Sequence, residues 1–252
     1  MAKRLTANNG DPHFRNLKSD FDRDGFIVIP KFFSVREIGR LQTGCENKKL
    51  QAHEGDATGV PCFSADDVEP SDISCLRQRV LRLVQALLND DVRYIHSKVL
   101  DETEAPVGGS WPWHQDYWYA YQCGFLFPDM ASTVIALHRT TLENGALQVV
   151  RGSHKMGRLD HVLLTMSGSR LEPGNKATKE EHVWIGADPL RVEEVIKRLP
   201  VVNCSMEKGD ILIFHANCLH RSRQNCSTQT GRALLCSSYS ASWNEPAAKP
   251  QG

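Results

Sequence analysis

Two short segments of this chain carry side chains that could together hold a metal ion. The first is Trp111-Pro-Trp-His114-Gln-Asp116-Tyr, and the second contains His220. If the first segment is a strand, His114 and Asp116 project from one face and Gln115 from the other, because alternate residues of a strand share a face. Two imidazoles and one carboxylate on one side of a metal leave the opposite positions open, as in non-haem Fe(II) oxygenases. The sequence therefore predicts an iron site formed by His114, Asp116 and His220.

Most of the elements that position these residues are predicted to be strands. From about residue 93, short apolar runs alternate with turn signals such as Glu143-Asn-Gly145. The predicted strands cover residues 94–100, 113–117, 132–138, 146–151, 199–206, 211–215 and 233–242. Many short antiparallel strands favour a mainly β jelly roll, in which two sheets fold against each other. We expect the metal site to lie in the mouth of this jelly roll.

The N-terminal part of the chain is predicted to supply helices that flank the sheets. Residues 26–30 form a short strand after Gly25, which ends the preceding helix. Ser34 and Glu37 have the spacing of a capping box, which begins a helix that runs to about residue 50. Apolar residues recur at helical spacing between residues 73 and 87 and predict a second helix. Residues 51–70 lack any periodicity, and we interpret them as a loop that could fold over the site.

The chain is predicted to be a single domain over residues 1–252. Helical support occupies about 14–90, the jelly-roll core about 93–242, and an insertion about 160–198. The insertion ends in a short helix, with Asp188 as its cap and Pro189 at its first position. Two interpretations of the insertion stay open, a substrate lid and a solvated surface excursion.

Composition excludes several classes of partner. Lys plus Arg and Asp plus Glu both number 30, so the net charge is zero and neither nucleic acid nor an anionic membrane is an expected partner. No apolar stretch is long enough to span a membrane. The eight cysteines include no Cys-x-x-Cys pair and are interpreted as reduced thiols. We expect a cytoplasmic protein that is a monomer or a weak homodimer and acts on a small molecule.

Five separated elements of the chain also carry a family resemblance. They are His114-Gln-Asp116, Glu143-Asn-Gly145, Arg151-Gly-Ser-His154, Lys208-Gly-Asp210 and Leu219-His-Arg-Ser-Arg-Gln-Asn225. In order and spacing they resemble the phytanoyl-CoA dioxygenase family of Fe(II)- and 2-oxoglutarate-dependent oxygenases, from about residue 25 to residue 242. The resemblance implies a cupin-like double-stranded β-helix with Fe(II) on His114, Asp116 and His220, 2-oxoglutarate as cosubstrate, and O2.

The resemblance also implies an anchor for the cosubstrate. Arg232 and the hydroxyl of Ser222 would bind the far carboxylate of 2-oxoglutarate. A buried dianion needs a fixed cation, and a guanidinium can hold a carboxylate through two parallel hydrogen bonds. Arg232 lies one residue further from His220 than is usual in the family, so residues 228–231 would have to absorb one extra residue. Arg223 is the alternative anchor, although we expect its side chain to point to the other face.

Further residues near the ligands are candidates for binding roles. Two of them, Lys98 and Gln115, are expected to contact the cosubstrate. Four others are predicted to bind or orient the substrate, namely Trp113, Tyr117, Trp118 and His138. A cluster of six aromatic residues around the ligands is suited to walling a pocket, namely Trp111, Trp113, Tyr117, Trp118, Tyr119 and Tyr121. The alternative is that half of these six fill the barrel core.

These features together predict a dioxygenase that hydroxylates, or otherwise oxidises, an unactivated C–H bond of a small organic molecule. Succinate and CO2 would be released from 2-oxoglutarate. Asp116 favours hydroxylation, because related halogenases have a small residue in its place. Two alternatives stay open, a zinc-dependent hydrolase on the same barrel and a non-catalytic metal-binding jelly-roll protein. No feature of the sequence selects the substrate.

Overall fold

The computed structural model describes residues 12–49, 71–101, 110–165, 168–171, 184–227 and 233–247. Within these ranges the helices are α1 (Pro12–Asp24), α2 (Val35–Lys49), α3 (Ser71–Leu88), α4 (Asp116–Gln122) and α5 (Pro189–Ile196). The strands are β1 (Phe26–Ile29), β2 (Val92–Asp101), β3 (Trp111–His114), β4 (Met130–Ala136), β5 (Leu147–Val150), β6 (His161–Leu164), β7 (Trp184–Ala187), β8 (Val201–Cys204), β9 (Ile211–His215), β10 (His220–Ser222) and β11 (Ala233–Ala241).

Most of the strands form two antiparallel sheets that face each other. The larger sheet has the order β1-β9-β4-β11-β2, and the smaller one has the order β3-β10-β5-β8. Val149 of β5 in the smaller sheet shares one apolar cluster with Leu212 of β9 and Leu234 of β11 in the larger sheet. This arrangement is the predicted jelly roll, or double-stranded β-helix, and the mainly β fold class is confirmed.

The N-terminal helices cover the outer face of the larger sheet. Ile38 of α2 and Val84 of α3 pack in a second apolar cluster with Ile135 of β4 and Ile213 of β9. Since successive residues of a strand point to opposite faces, β9 contributes Leu212 to the inner cluster and Ile213 to the outer one. The larger sheet is therefore buried on both faces, which explains the continuous apolar run of β9.

The local signals for helix ends are confirmed. In the predicted capping box, Ser34 N donates to Glu37 Oε2 over 2.7 Å, and Glu37 N donates to Ser34 Oγ over 3.3 Å. Asp188 Oδ1 accepts a hydrogen bond from Leu190 N, and Pro189 is the first residue of α5. These bonds satisfy backbone N–H groups of the first turn that have no partner inside the helix.

The strand that was predicted over residues 113–117 is wrong in its second half. Strand β3 ends at His114, and α4 begins at Asp116. The chain turns there because Tyr117 N donates to Ala216 O and Trp118 N donates to Gln115 O. A carboxylate in the first helical turn is also favoured by the helix dipole. His114 and Asp116 therefore reach the site from two different elements.

The predicted insertion contains structure beyond its helix. Strands β6 and β7 pair as a two-stranded antiparallel sheet that the sequence did not predict. Residues 166–167 and 172–183 of the insertion lie outside the described residues, as does the predicted loop over 51–70. Among the helices that the structure describes, none combines the length and apolar character needed to cross a membrane.

Candidate metal centre

The three predicted ligands lie close together at one end of the smaller sheet. His114 closes β3 and His220 opens β10, and the two residues are partners in the antiparallel register of these neighbouring strands. Asp116 Oδ1 lies 3.5 Å from His114 Nε2 and 3.6 Å from His220 Nε2. One ligand atom from each side chain lies within 4.8 Å of the other two, which is close enough for all three to bind one ion. The sheet register thus assembles the site.

Hydrogen bonds fix the tautomer of both imidazoles. His114 Nδ1 lies 2.8 Å from Pro112 O, and His220 Nδ1 lies 3.0 Å from Cys218 O. A carbonyl oxygen only accepts, so Nδ1 carries the proton in both rings and Nε2 carries the lone pair. Such bonds orient a metal-binding histidine and raise its basicity. Both rings therefore present Nε2 toward Asp116.

The carboxylate of Asp116 is held in its charged form. Burial alone would raise its pKa, but the imidazoles of His220 and His114 and the hydroxyl of Ser132 together hold the pKa of this carboxyl well below its usual range. Ser132 Oγ donates to Asp116 Oδ2 over 2.5 Å, whereas Asp116 Oδ1 faces the two histidines. One carboxylate oxygen is thus oriented by the protein and the other is directed at the metal position. This donor set suits a divalent cation.

Gln115 braces the ligands from behind, away from the cavity. Its side chain is fully buried. Its Nε2 donates to Asn217 O over 2.8 Å and to Gly157 O over 3.0 Å, and its Oε1 accepts from Leu159 N over 2.7 Å. All of these bonds are to the protein itself, and Gln115 is not among the described residues that line the cavity, so its contact with the cosubstrate remains a prediction. Gln115 ties the segment of His114 and Asp116 to the segment that precedes His220.

The chain that follows β5 supports both ligand segments. Ser153 Oγ accepts a hydrogen bond from Leu219 N, next to His220. His161 Nε2 accepts one from Gln115 N over 3.1 Å, and its Nδ1 lies 3.1 Å from Leu159 O. Burial lowers the pKa of His161 to about 4, so the ring stays neutral and keeps the lone pair that this bond requires. Residues 153–161 therefore hold the ligands in place where the predicted insertion begins.

A cavity of about 430 Å³ opens in front of the three ligands. One face of α4 lines it, because Asp116, Tyr119, Ala120 and Cys123 follow the spacing of a helix. Most of the remaining lining is apolar and comes from β2, β4, β9 and β11 and the turns beside them, and it includes Ile95, Leu100, Phe125, Met130, Val134, Phe214 and Leu234. The cavity can hold a small organic molecule beside the metal position.

The four predicted substrate residues are not among the described residues that line this cavity. Tyr117 donates its hydroxyl to Leu126 O over 2.6 Å, and Trp118 stacks on His161 with ring centroids 4.7 Å apart. Trp113 lines a second cavity and packs under the guanidinium of Arg221. His138 Nε2 lies 3.0 Å from Gln42 Nε2. The helix at Asp116 turns other side chains toward the metal position, and the substrate roles of these four residues remain predictions.

The expected cosubstrate residues are only partly within the described structure. Ser222 is buried, lines the cavity and accepts a hydrogen bond from Trp111 N. Arg223 follows β10 and lines the second cavity, and it is not among the described residues that line the first one. Arg232 and the side chain of Lys98 lie outside the described residues. The position of Ser222 is compatible with its expected role.

Sequence reasoning missed three groups of residues at this site. Ser132 holds the carboxylate, Asn217 and His161 brace the ligand segments, and Ala120 and Cys123 line the cavity beside Tyr119. Only the last group had a signal in the sequence, because its members follow Asp116 at helical spacing. The other residues are brought to the site by sheet pairing and turns.

Curated relatives of the chain are oxygenases of small molecules. The chain is 25% identical to an L-proline trans-4-hydroxylase of Streptomyces griseoviridis over 246 residues, which span 92% of this chain and 88% of the relative. It is also 25% identical to an ectoine dioxygenase of Sphingopyxis alaskensis, over 86% of this chain and 72% of the relative. A peroxisomal phytanoyl-CoA dioxygenase of Mus musculus is 24% identical over 86% of this chain and 65% of the relative.

The fold is shared with a solved structure, EctD from S. alaskensis with 2-oxoglutarate and 5-hydroxyectoine. The TM-score is 0.74 at 22% identity, and the match covers 95% of this chain and 80% of that one. The family model for phytanoyl-CoA dioxygenase (PhyH) matches residues 21–233, a range that includes all three ligands. The chain therefore belongs to the phytanoyl-CoA dioxygenase family.

Proposed function

We propose that the protein is an Fe(II)- and 2-oxoglutarate-dependent dioxygenase that hydroxylates an unactivated C–H bond of a small organic molecule. One observation carries the proposal, the convergence of His114, Asp116 and His220 within 4.8 Å at the wall of a cavity. Membership of a dioxygenase family supports it. Two imidazoles and one carboxylate on one side of an ion are the donor set of this enzyme class.

The residues present fit the metal. Both histidines have Nε2 lone pairs because their Nδ1 protons are bonded to backbone carbonyls, and the carboxylate is charged. When bound, iron, 2-oxoglutarate and O2 supply an oxidative decarboxylation to succinate and CO2 that is coupled to oxidation of a C–H bond. The three side chains would hold the iron, and Ser222 together with Arg232 would hold the far carboxylate of 2-oxoglutarate.

The protein itself contributes geometry and a mainly apolar environment. Ser132 orients the carboxylate, and most of the residues that line the cavity are apolar. The bond from Gln115 to Asn217 joins the two ligand segments and limits how far the ligand atoms can move apart. Ligand geometry that is fixed before binding costs no reorganisation when the metal and its partners bind.

The test is anaerobic addition of Fe(II) and then 2-oxoglutarate to the purified protein. We expect a visible charge-transfer band, and succinate release once O2 is admitted. His220→Ala should lose both signals, while Asn144→Ala, at a buried amide in the 139–144 turn, should keep them. A protein that binds the metal but shows no band and no succinate would contradict the proposal. That result would favour a zinc-dependent hydrolase or a non-catalytic metal-binding protein.

We also propose the setting in which the enzyme works. Among the described cysteines, Cys204 and Cys218 are buried free thiols, and burial raises the pKa of both to about 12, which suits a reducing compartment such as the cytoplasm. We propose one oxygenase domain that is a monomer or a weak homodimer, with a small molecule as substrate. Sedimentation of the purified protein over a range of concentrations measures its assembly state.

A further inference from the structure

The carboxylate ligand and part of the cavity wall lie on the same short helix. Asp116 begins α4, and Tyr119, Ala120 and Cys123 follow it along the face that lines the cavity. We call Tyr119, Ala120 and Cys123 the α4 wall. Because it shares a helix with a metal ligand, the α4 wall stands beside the position where a substrate must place its reacting carbon.

The α4 wall and its surroundings offer little to a charged molecule. Apart from histidines, only Asp116 and Arg221 carry a full charge among the described residues that line the cavity. Asp116 is a metal ligand in our proposal. Arg221 donates from Nε to Gln148 Oε1 over 2.7 Å and lies 4.6 Å over the ring of Trp113, so its guanidinium lies beside residues that do not line this cavity.

We propose that the α4 wall selects a neutral, largely apolar substrate and that Ala120 sets the room available to it. The inference rests on the proposed function and adds the class of substrate. A carboxylate or ammonium that is moved from water into an apolar cavity loses several kcal/mol unless it gains a partner. A zwitterion would have to find two such partners, whereas a neutral apolar molecule gains from the contact with Ile95, Phe125 and Met130.

Ala120 is the residue at which this selection can be tested. Its small side chain lines the cavity between Tyr119 and Cys123 and packs near Phe125 and Met130. A phenyl ring at this position would fill part of the cavity that Ala120 leaves open. Gln122 lies on the same helix but is exposed, so the same ring placed there leaves the cavity open.

The experiment measures binding to protein that is loaded with Mn(II) and 2-oxoglutarate. The probes are pairs of similar size, L-proline against cyclopentanecarboxamide and L-phenylalanine against 3-phenylpropan-1-ol, titrated by calorimetry. We expect the neutral member of each pair to bind more tightly by about tenfold or more. Ala120→Phe should weaken the neutral probes by about tenfold or more, with the affinities for Mn(II) and 2-oxoglutarate unchanged, and Gln122→Phe should behave as the parent protein.

The possible outcomes separate the two proposals. Zwitterions that bind as well as their neutral partners, neutral probes that do not bind, or an Ala120→Phe variant with unchanged probe affinity would each overturn the inference. Cys123→Phe, at an exposed position by the mouth of the cavity, serves as a second variant if Ala120→Phe does not fold. Failure of the proposed function would be seen earlier, as a parent protein that binds neither Mn(II) nor 2-oxoglutarate.

Discussion

The side-chain amide of Gln115 is bonded to Asn217 at two points. Gln115 Nε2 lies 2.8 Å from Asn217 O and 3.1 Å from Asn217 Oδ1, and both residues are buried. Gln115 stands between the ligands His114 and Asp116, and Asn217 stands shortly before His220. This pair of residues therefore joins the two parts of the chain that must come together to bind a metal.

Replacement of Gln115 by leucine should weaken metal binding. The variant loses the bonds to Asn217, Gly157 and Leu159 while it keeps the volume of the side chain. Loss of the groups that orient metal ligands commonly costs about 10- to 100-fold in affinity. Titration of the purified variant with Mn(II) measures the change.

The control for this variant is Asn144→Leu. Asn144 is also a buried amide, but it bonds Thr141 N and Arg139 O in a turn that contributes no ligand. Both variants should lower the melting temperature, because each leaves backbone groups without a partner. Equal Mn(II) affinities for Gln115→Leu and the parent protein would show that the link to Asn217 has no effect on the metal site.

Arg232→Ala should raise the KM for 2-oxoglutarate. Truncation of one partner of a buried charged pair costs about 2–5 kcal/mol, which corresponds to about 30-fold or more in affinity. Arg223→Ala is the matched control, since Arg223 lines the second cavity. Succinate release at a series of 2-oxoglutarate concentrations gives both constants. The opposite result, an effect of Arg223 and none of Arg232, would make Arg223 the anchor.

His215 should make the fold less stable in acid. Burial lowers its pKa to about 4, with smaller effects from His154 and Asp22, whereas an unfolded histidine has a pKa near 6.5. Between these values the unfolded chain binds a proton that the folded chain does not, so the free energy of unfolding falls as the pH drops from about 6.5 to 4. The loss at this residue is of the order of 3 kcal/mol at most.

Chemical denaturation of the parent protein and of His215→Asn between pH 7 and pH 4 tests this prediction. Asparagine can still accept the hydrogen bond that His215 Nδ1 accepts from Asn217 N. We expect the variant to lose less stability than the parent over this range. His161 is present in both proteins, so the difference between the two profiles reports His215 together with its interaction with His154. Parallel pH profiles would refute the prediction.

Gly25→Ala should destabilise the protein strongly. Gly25 has a φ of 84° at the end of α1, and a Cβ there would collide with His154 Nδ1 and lie 2.6 Å from Cys218 Sγ. Strain and overpacking together should cost about 3 kcal/mol or more. Gly39→Ala in α2 has open space around its Cβ and should stabilise the helix by about 0.5–1 kcal/mol. Equilibrium unfolding in urea measures both, and equal effects would contradict this account.

Strand β9 could be predicted from the sequence, because a strand that is buried on both faces has a continuous run of apolar residues. Residues 211–214 of β9 are buried between the helices and the opposite sheet, and their side chains are all large and apolar. Strand β10 has three residues and reads His-Arg-Ser. It is held by pairing with β3 and β5, which are distant in the sequence, so no local pattern could reveal it.

The metal ligands could be predicted because few residue types bind iron, whereas the cavity lining depends on where β3 ends. A strand through Tyr117 and a helix from Asp116 differ in the spacing of residues that share a face. The helix exchanges Tyr117 and Trp118 for Tyr119 and Ala120 at the cavity. The point at which β3 ends is fixed by the backbone hydrogen bond from Tyr117 N to Ala216 O, and Ala216 is distant in the sequence.

The pairing of His114 with His220 has a consequence for the lifetime of the protein. The two residues are partners in the paired strands β3 and β10, so an ion bound by both of them would stabilise the pairing of these strands. A ligand that binds only the folded chain, present at a hundred times its Kd, stabilises it by about 2.7 kcal/mol. A shortage of ferrous iron would then lower the stability of the folded chain, and so shorten its lifetime, in addition to removing its activity.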